Sequence, residues 1–488
     1  MWQPNGLAVH RLSPTPSQTS NEGRSFDFFR TKVAMNLGGF FDSSFWSRDV
    51  LQAAQDEPSI RHAVVALASL SETMLRTDRE RQRENENNWE NEDGKERPLS
   101  RSRSPAPGTF AVRQHAKAVS TLQKSMQDGG QSSPEIVLIT CALFICFEMF
   151  QNSYEAALRQ MSSGVFVFCD WYSKQRTAAG AASPQPADLA YQLEKIFQGL
   201  ILQIILFIDT NIQDWQFLVP AFTPAMPSIP SVFKSIDEAR DCLNACRCSV
   251  YHGTLTSHFQ GLEKQAVGNG KSEADVLSSE PAQVSEGPIH EWALAFEAFM
   301  RNPKNILSPK EQRAAILLEI QHIVGSILAA AGIFRQETIF DLFEPSLSQI
   351  VSLASRLIRR TGECPQDLEP IFPAFDMGIL PPLYFVASRC RDPSIRRQAL
   401  HLLRQGPSQE GIWHSGMLSN IAERIMNLEE ADCVYGFAGS SVDIAASARI
   451  AVLNAKIDSA QRTVALHCCR PQSPETGRTH VLHETVTY

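Results

Sequence analysis

Apolar residues recur at helical spacing through most of the chain. In DEPSIRHAVVALASLSETMLR, residues 56–76, Ile60, Val64, Leu67 and Leu70 fall on one helical face, Pro58 suits a first helical turn and Asp56 is placed to cap it. The preceding FDFFRTKVAMNLGGFFDSSFWSRDVLQAAQ is apolar and aromatic with a break at Gly38-Gly39, so the chain is expected to open with two antiparallel helices. FAVRQHAKAVSTLQKSM, PEIVLITCALFICFEMF and YEAALRQMSSGVFVF carry the same period. Only QNS separates the last two, which predicts a tight helical hairpin. LAYQLEKIFQGLILQIILFIDT runs for about six turns and is apolar on most sides, the pattern of a helix covered by its neighbours. HEWALAFEAFMRN, SPKEQRAAILLEIQHIVGSILAAAG and FEPSLSQIVSLASRLIRRT predict three more helices.

No alternation of β type extends over adjacent segments, and no glycine-rich strand-to-helix turn occurs. The pattern therefore predicts an all-α fold, a large multi-helix domain of packed helical hairpins over residues 26–455. Residues 1–25 read as a disordered N-terminal segment, 77–108 and 264–288 as flexible insertions, and 456–488 as a polar C-terminal tail. No fixed-length repeat is present.

Composition narrows the function classes. With 45 basic against 53 acidic side chains the formal charge is -8, so nucleic-acid contact would need a local basic patch. The most apolar runs, IVLITCALFICF and LILQIILFI, fall short of the roughly 20 residues that cross a bilayer, and no membrane partner is expected. The 11 cysteines lie mostly within helical patterns, without the dense spacing of a secreted disulfide scaffold, which favours a reducing compartment.

Candidate chemistry is sparse. Cys242, Cys246 and Cys248 have C-x3-C-x-C spacing, and His252 could complete a metal set, but packed helical cysteines explain the pattern without one. Cys468-Cys469 beside His467 is a similar case. Hydrolase, kinase, zinc-protease and dinucleotide fingerprints are all missing, so neither an enzyme nor a cofactor is expected. KERPLSRSRSP concentrates Lys95, Arg97, Arg101 and Arg103, which suits either a solvated linker or a nuclear-import patch open to phosphoserine switching.

CRDPSIRRQALHLLRQGPSQEGIWHSG, residues 390–416, is the densest candidate. Asp392 can cap a helix that Pro393 opens, Ile395, Ala399, Leu402 and Leu403 line one face, and Arg396, Arg397 and Arg404 can meet solvent or acids. Cys390 beside Arg391 has the neighbour of a reactive thiol, yet its place at a helix junction favours burial. Trp413, past a proline-glycine turn, can close the end of the helical pair.

FFDSSFWSRDVLQAAQDEPSIRHAVVALASLSE, PEIVLITCALFICFEMFQNSYEAALRQMSSG and MPSIPSVFKSIDEARDCL together resemble the regulatory region of fungal zinc-cluster transcription factors. The most specific part of the resemblance runs from Phe375 to Gly416. There the Cys390-Arg391-Asp392-Pro393 junction, Arg396-Arg397, and Glu410-Gly411-Ile412-Trp413 resemble the family's helical-hairpin signature. The resemblance implies a nuclear transcription regulator of a metabolic or biosynthetic gene set.

The family's DNA-reading module holds two zinc ions on six cysteines with C-x2-C pairs. In this sequence the first cysteine is Cys141 and no C-x2-C occurs, so the zinc ligands have no positions here to fall on. Three origins fit that absence: a regulator that naturally lacks the module, a gene model that lacks a first exon, and a region retained for another job. The expectations are no sequence-specific DNA binding by this chain, a DNA-binding transcription factor or a homo- or hetero-oligomer as partner, and a small-molecule effector. A helical enzyme or metabolite sensor, with a pocket between the apolar helices, is the alternative.

Overall fold

The computed structural model describes residues 19–41, 43–89, 108–127, 133–178, 188–206, 226–266, 287–331, 337–363, 374–433, 436–470 and 480–488. Helix α1 (Ser20–Phe28) starts where the Thr19 hydroxyl accepts the Glu22 N–H, and passes through a π-helical turn (Phe29–Val33) into α2 (Ala34–Leu37). It begins within the N-terminal segment expected to be disordered. Burial of Glu22 and Ser25, and a 2.8 Å bond from Gln114 to Glu22, hold it on the core.

A second π-helical turn (Phe45–Asp49) leads into α3 (Val50–Asp56). Asp56 therefore ends one helix and does not cap the next. The extended residue Glu57 separates them, and α4 (Pro58–Trp89) starts at the expected proline. Ile60, Val64, Leu67 and Leu70 are buried, as their spacing predicts. Because α4 continues to Trp89, the insertion expected over 77–108 is helical in its first part, and residues 90–107 lie outside the described residues.

Helices α5 (Thr109–Gln127) and α6 (Pro134–Phe150) pack on α4. Then α7 (Tyr154–Ala178) folds back along α6 through Gln151-Asn152-Ser153. Asn152 takes a left-handed φ of 58°, and the Ser153 N–H returns to the Glu148 carbonyl, so the predicted hairpin closes in three residues. Helices α8 (Leu189–Leu206), α9 (Ile236–Ala266), α10 (Gly287–Arg301) and α11 (Pro309–Ala331) extend the packing. The second expected insertion is bounded by α9 and α10, and its residues 267–286 lie outside the described set.

Helices α8 and α11 are apolar and long enough to cross a bilayer, but 56% and 78% of their most apolar windows are buried inside this fold. A 3-10 turn (Glu337–Phe343) runs into α12 (Glu344–Glu363). Helices α13 (Leu380–Arg389), α14 (Pro393–Gln405) and α15 (Ser415–Glu430) form a mutually packed trio, with strands β1 (Gln409–Glu410) and β2 (Trp413–His414) between the last two.

The polar tail is the main correction. Strands β3 (Ala451–Asp458), β4 (Thr463–Arg470) and β5 (His480–Thr487) form an antiparallel sheet in that order, so the expected boundary at 455 cuts through β3. In β4, Val464, Leu466 and Cys468 are buried while Ala465 and His467 are exposed, the period-two alternation of a half-buried strand. β5 lies against α15, with Asn420 bonded to the Thr487 carbonyl at 2.9 Å and Arg424 paired with Glu484 at 2.8 Å. Val464, Leu466, Cys468 and Val486 join one hydrophobic core that reaches back to Phe26, so the sheet belongs to the domain.

Candidate functional site at the two ends of helix α13

The residues singled out between 390 and 413 gather at both ends of α13, about 15 Å apart along a ten-residue helix. At the C-terminal end the chain turns at Cys390, and Asp392 accepts the Ile395 N–H at 2.8 Å to cap α14, as expected. Cys390 is buried and its thiol is pushed up to about 11 by burial, which makes it inert packing at neutral pH.

The arginines do not form a surface patch. The Arg391 side chain is 0% and that of Arg396 1% exposed, and both converge on Glu429 near the end of α15. Arg391 bonds Glu429 Oε1 and lies 3.1 Å from Glu337 Oε2, while Arg396 approaches Glu429 Oε2 at 2.7 Å and donates through Nε to the Ala387 carbonyl. Arg389 adds a 2.9 Å contact to Glu337, and half-buried Arg397 bonds Glu430. The carboxylates also accept backbone donors, Ile450 N–H on Glu429 and Ala438 N–H on Glu430.

Burial works against the charge of Arg391, but Glu429 and Glu337 together hold its pKa above the ordinary value. For Arg396 burial dominates, and with Arg391 beside it the pKa is lowered despite Glu429. Two buried guanidiniums between two buried carboxylates form a neutral, solvent-excluded clasp joining α13, α14, α15 and the 3-10 turn. Only Arg404, paired with Glu423 on the surface, matches the solvated reading.

At the N-terminal end the Glu410-Gly411-Ile412-Trp413 segment is a tight β-hairpin, correcting its expected role as part of a helical hairpin. Glu410 pairs with Trp413, and Gly411 takes φ +55°, the sign that the first loop position of a II′ turn needs. A Cβ at Gly411 would lie 1.9 Å from Gln203 Oε1, so the position is closed to larger residues. Trp413 is 1% exposed, as expected of a ring closing the pair.

Glu410 points under α13 and caps it, accepting from the backbone of Gly378, Ile379 and Leu380, the last at 2.8 Å. Burial nevertheless pushes its carboxyl up to about 7. Gly378 makes room for the carboxylate, since a Cβ there would meet it at 2.0 Å.

Residues 374–380 are stitched in from four directions. Phe375 N–H bonds the Leu37 carbonyl, Gln203 donates to the Phe375 carbonyl at 2.8 Å, Gln321 donates to the Met377 carbonyl at 3.0 Å, and Gly411 N–H bonds the Ala374 carbonyl. The two glutamines come from α8 and α11 and are not singled out by sequence. A polar amide inside an apolar helix was the available signal. Beside this crossing lies a cavity of about 260 Å³ lined by Phe40, Phe41, Lys310, Arg313, Leu317 and Asp376 among others. Asp376 is set in the apolar run FPAFDMGILPPL, and burial pushes its carboxyl up to about 6.

The remaining sequence candidates lie elsewhere. Cys246 and Cys248 are buried on α9 and Cys242 is half-buried, with His252 on the same helix. Cys468 and Cys469 are buried on β4 while His467 is exposed, so alternation along the strand separates His467 from Cys468. Among the described residues no group of His, Cys, Asp and Glu side chains is arranged to hold a metal ion. Lys95, Arg97, Arg101 and Arg103 lie outside the described residues.

The class that fold and site define is a large helical domain whose signature residues serve as internal fastening. Over 490 aligned positions the chain is 19% identical to the aspercryptin biosynthesis cluster-specific transcription regulator atnN of Emericella nidulans, spanning 84% of this chain and 74% of that protein. It is also 22% identical over 168 positions to the transcription regulator lscL of Purpureocillium lilacinum, covering 34% of this chain and 35% of that one. No family model and no solved structure matches the chain. The chain thus has distant, partial homology to fungal transcription regulators.

Proposed function

We propose that this chain is a transcription-regulatory protein of the fungal zinc-cluster-factor type, acting in the nucleus on a metabolic or biosynthetic gene set and carrying no enzymatic activity of its own. The observation that carries this reading is the breadth of the similarity to atnN, which extends over 84% of the chain and is not confined to one motif. The name of that relative ties it to one biosynthetic cluster, and this supports a pathway-specific role here.

The buried clasp bears on how such a regulator meets DNA. Phosphate contact needs cations that reach the surface, and Arg391 and Arg396 are consumed inside the domain by Glu337 and Glu429. Among the described residues the site holds no base-reading element, and in this reading promoter contact is made by a DNA-binding partner, a transcription factor or an oligomer of relatives. Deleting the gene tests the reading. A coherent set of neighbouring biosynthetic transcripts is expected to change, and an unaltered transcript profile under conditions where the protein accumulates overturns it.

A further inference from the structure

The C-x3-C pair on α9 has no part in the fastening around α13. Cys242 and Cys246 stand one turn apart on one face of the helix, which places their Cβ atoms about 5 to 6 Å apart. Cys242 is half-buried and Cys246 buried, and the Cys246 thiol hydrogen-bonds to the Cys242 sulfur. Cys246 Sγ also lies 3.8 Å from the Pro288 carbonyl oxygen at the start of α10.

A cysteine reacts through its thiolate, and only if a reagent can reach it. The hydrogen bond from Cys246 and the charge of Lys195 on α8 hold the Cys242 thiol below its ordinary value, against the effect of burial. Other cysteines of the fold go the opposite way. Burial pushes Cys141, Cys169, Cys248 and Cys468 up to about 12. Cys433 is half-buried like Cys242, but desolvation and the carboxylates of Glu430, Asp443 and Asp432 raise it. Cys242 therefore combines access with activation, and a second thiol is already in contact with it.

We infer that Cys242 and Cys246 form an oxidation site for hydroperoxides, closing to a disulfide that loosens α9. The Cys242 thiolate attacks one oxygen of hydrogen peroxide, the O–O bond breaks, and hydroxide leaves with the electron pair. Sulfur is thereby oxidised to a sulfenic acid while the peroxide is reduced. The Cys246 sulfur then attacks the Cys242 sulfur, so that the S–S bond forms, the S–O bond breaks, and the departing hydroxide takes the Cys246 proton as water. In sum, two thiols and hydrogen peroxide give a disulfide and two waters.

The helix makes this oxidation consequential. A disulfide needs Cβ atoms about 3.5 to 4.5 Å apart, closer than an intact helical turn holds them. Closure therefore distorts the turn between Cys242 and Cys246, and a strained disulfide is of the labile kind that cellular thiols reduce again. Contacts on either side of the turn are exposed to that distortion. Trp292 on α10 donates its Nε1–H to the Ala239 carbonyl at 2.8 Å, Arg240 stands 4.9 Å over the Phe41 ring, and α9 packs on α8, α10 and α11.

Trypsin cleavage after Arg240 and Arg247 releases Asp241–Arg247, which carries both thiols and no other cysteine. The purified, reduced full chain is treated with hydrogen peroxide, alkylated, digested and weighed by mass spectrometry. This peptide is expected to lose two hydrogens about tenfold or more faster than Cys433 is oxidised, and dithiothreitol should restore it. In Cys246→Ser, whose hydroxyl can still donate to Cys242, oxidation should stop at the sulfenic acid and be trapped there by dimedone. In Cys242→Ser, Cys246 should stay reduced, with circular dichroism confirming that both variants are folded. Hydrogen exchange of the α9 amides should speed up when the wild type is oxidised and stay unchanged in peroxide-treated Cys242→Ser. Earlier oxidation of Cys433, no dimedone adduct on Cys242 in Cys246→Ser, or unaltered α9 exchange after the disulfide has closed would each overturn the inference. None of these measurements reads transcription, so their failure is distinct from failure of the regulatory reading.

Discussion

The two ends of α13 use the same chemical vocabulary for opposite ends. At the C-terminal end two guanidiniums and two carboxylates are buried together, and each charge has an opposite neighbour within about 3 Å. At the N-terminal end Glu410 is buried and spent on backbone donors, while half-buried Asp376 faces a cavity. Matched buried charge is a fastener. A carboxylate that faces open volume is not. The arginine-rich corner, which draws the eye in the sequence, belongs to the first kind, while the plain FDMG step belongs to the second.

The comparison is broken most sharply by removing the centre of the clasp. Glu429→Ala leaves Arg391 and Arg396 facing each other with only Glu337 in reach, and breaking a buried pair in this way costs about 3 to 5 kcal/mol. Urea unfolding is expected to show a loss of that size. Replacing Arg396 and Glu429 together by methionine should cost less than Glu429→Ala alone, since the uncompensated charge then disappears. A Glu429→Ala curve that overlies the wild type would reduce the clasp to a surface-like pair.

How much of this was legible in sequence follows from the range of each interaction. The cap of Asp392 on Ile395, the proline start of α14, burial of Cys390 and the QNS hairpin are local, spanning a few residues, and the pattern reveals them. The partners of the arginines are not local. Glu429 lies 38 residues from Arg391, and Glu337 lies 54 residues away in the other direction. No periodicity links positions so far apart. Gln203, which receives the Ile412 N–H, is 209 residues away. The C-terminal sheet is a different failure. The alternation Val464, Leu466, Cys468 is present in TVALHCCR, but a short strand in polar company carries little hydrophobic signal until the common core covers its apolar face.

The second test sharpens the contrast through pH. Glu410 moves from an ordinary value of 4.5 to about 7 on folding, so between those values the folded state holds a proton that the unfolded chain releases. Stability from this group is present at low pH and is lost as pH rises through 7. The loss between about pH 5.5 and about pH 8 amounts to about 2 kcal/mol. Asp376, raised to about 6, contributes with the same sign. Glu410→Gln cannot titrate, so its unfolding free energy should fall less over that interval than the wild type's. Parallel profiles for the two proteins would show that the carboxylate is ionised throughout and fully satisfied by its three backbone donors.

The smallest expected effect defines the edge of the clasp. Arg404 lies on the same helix as Arg396 and also has a glutamate partner, Glu423 at 2.7 Å, but the two side chains are 47% and 41% exposed. Water and salt screen such a pair, and ordering two long side chains offsets most of its Coulomb attraction. Arg404→Ala is therefore expected to change stability by less than about 0.5 kcal/mol, with no dependence on salt beyond that of the wild type. The informative quantity is its contrast with Arg396→Ala, measured under the same conditions, which strands half of the Glu429 carboxylate in the core. Two arginines eight positions apart on one helix should then differ several-fold in cost, with burial as the cause. If Arg404→Ala proves as damaging as Arg396→Ala, the distinction between a buried fastener and a solvated face fails at this helix, and the surface pair must be counted as part of the clasp.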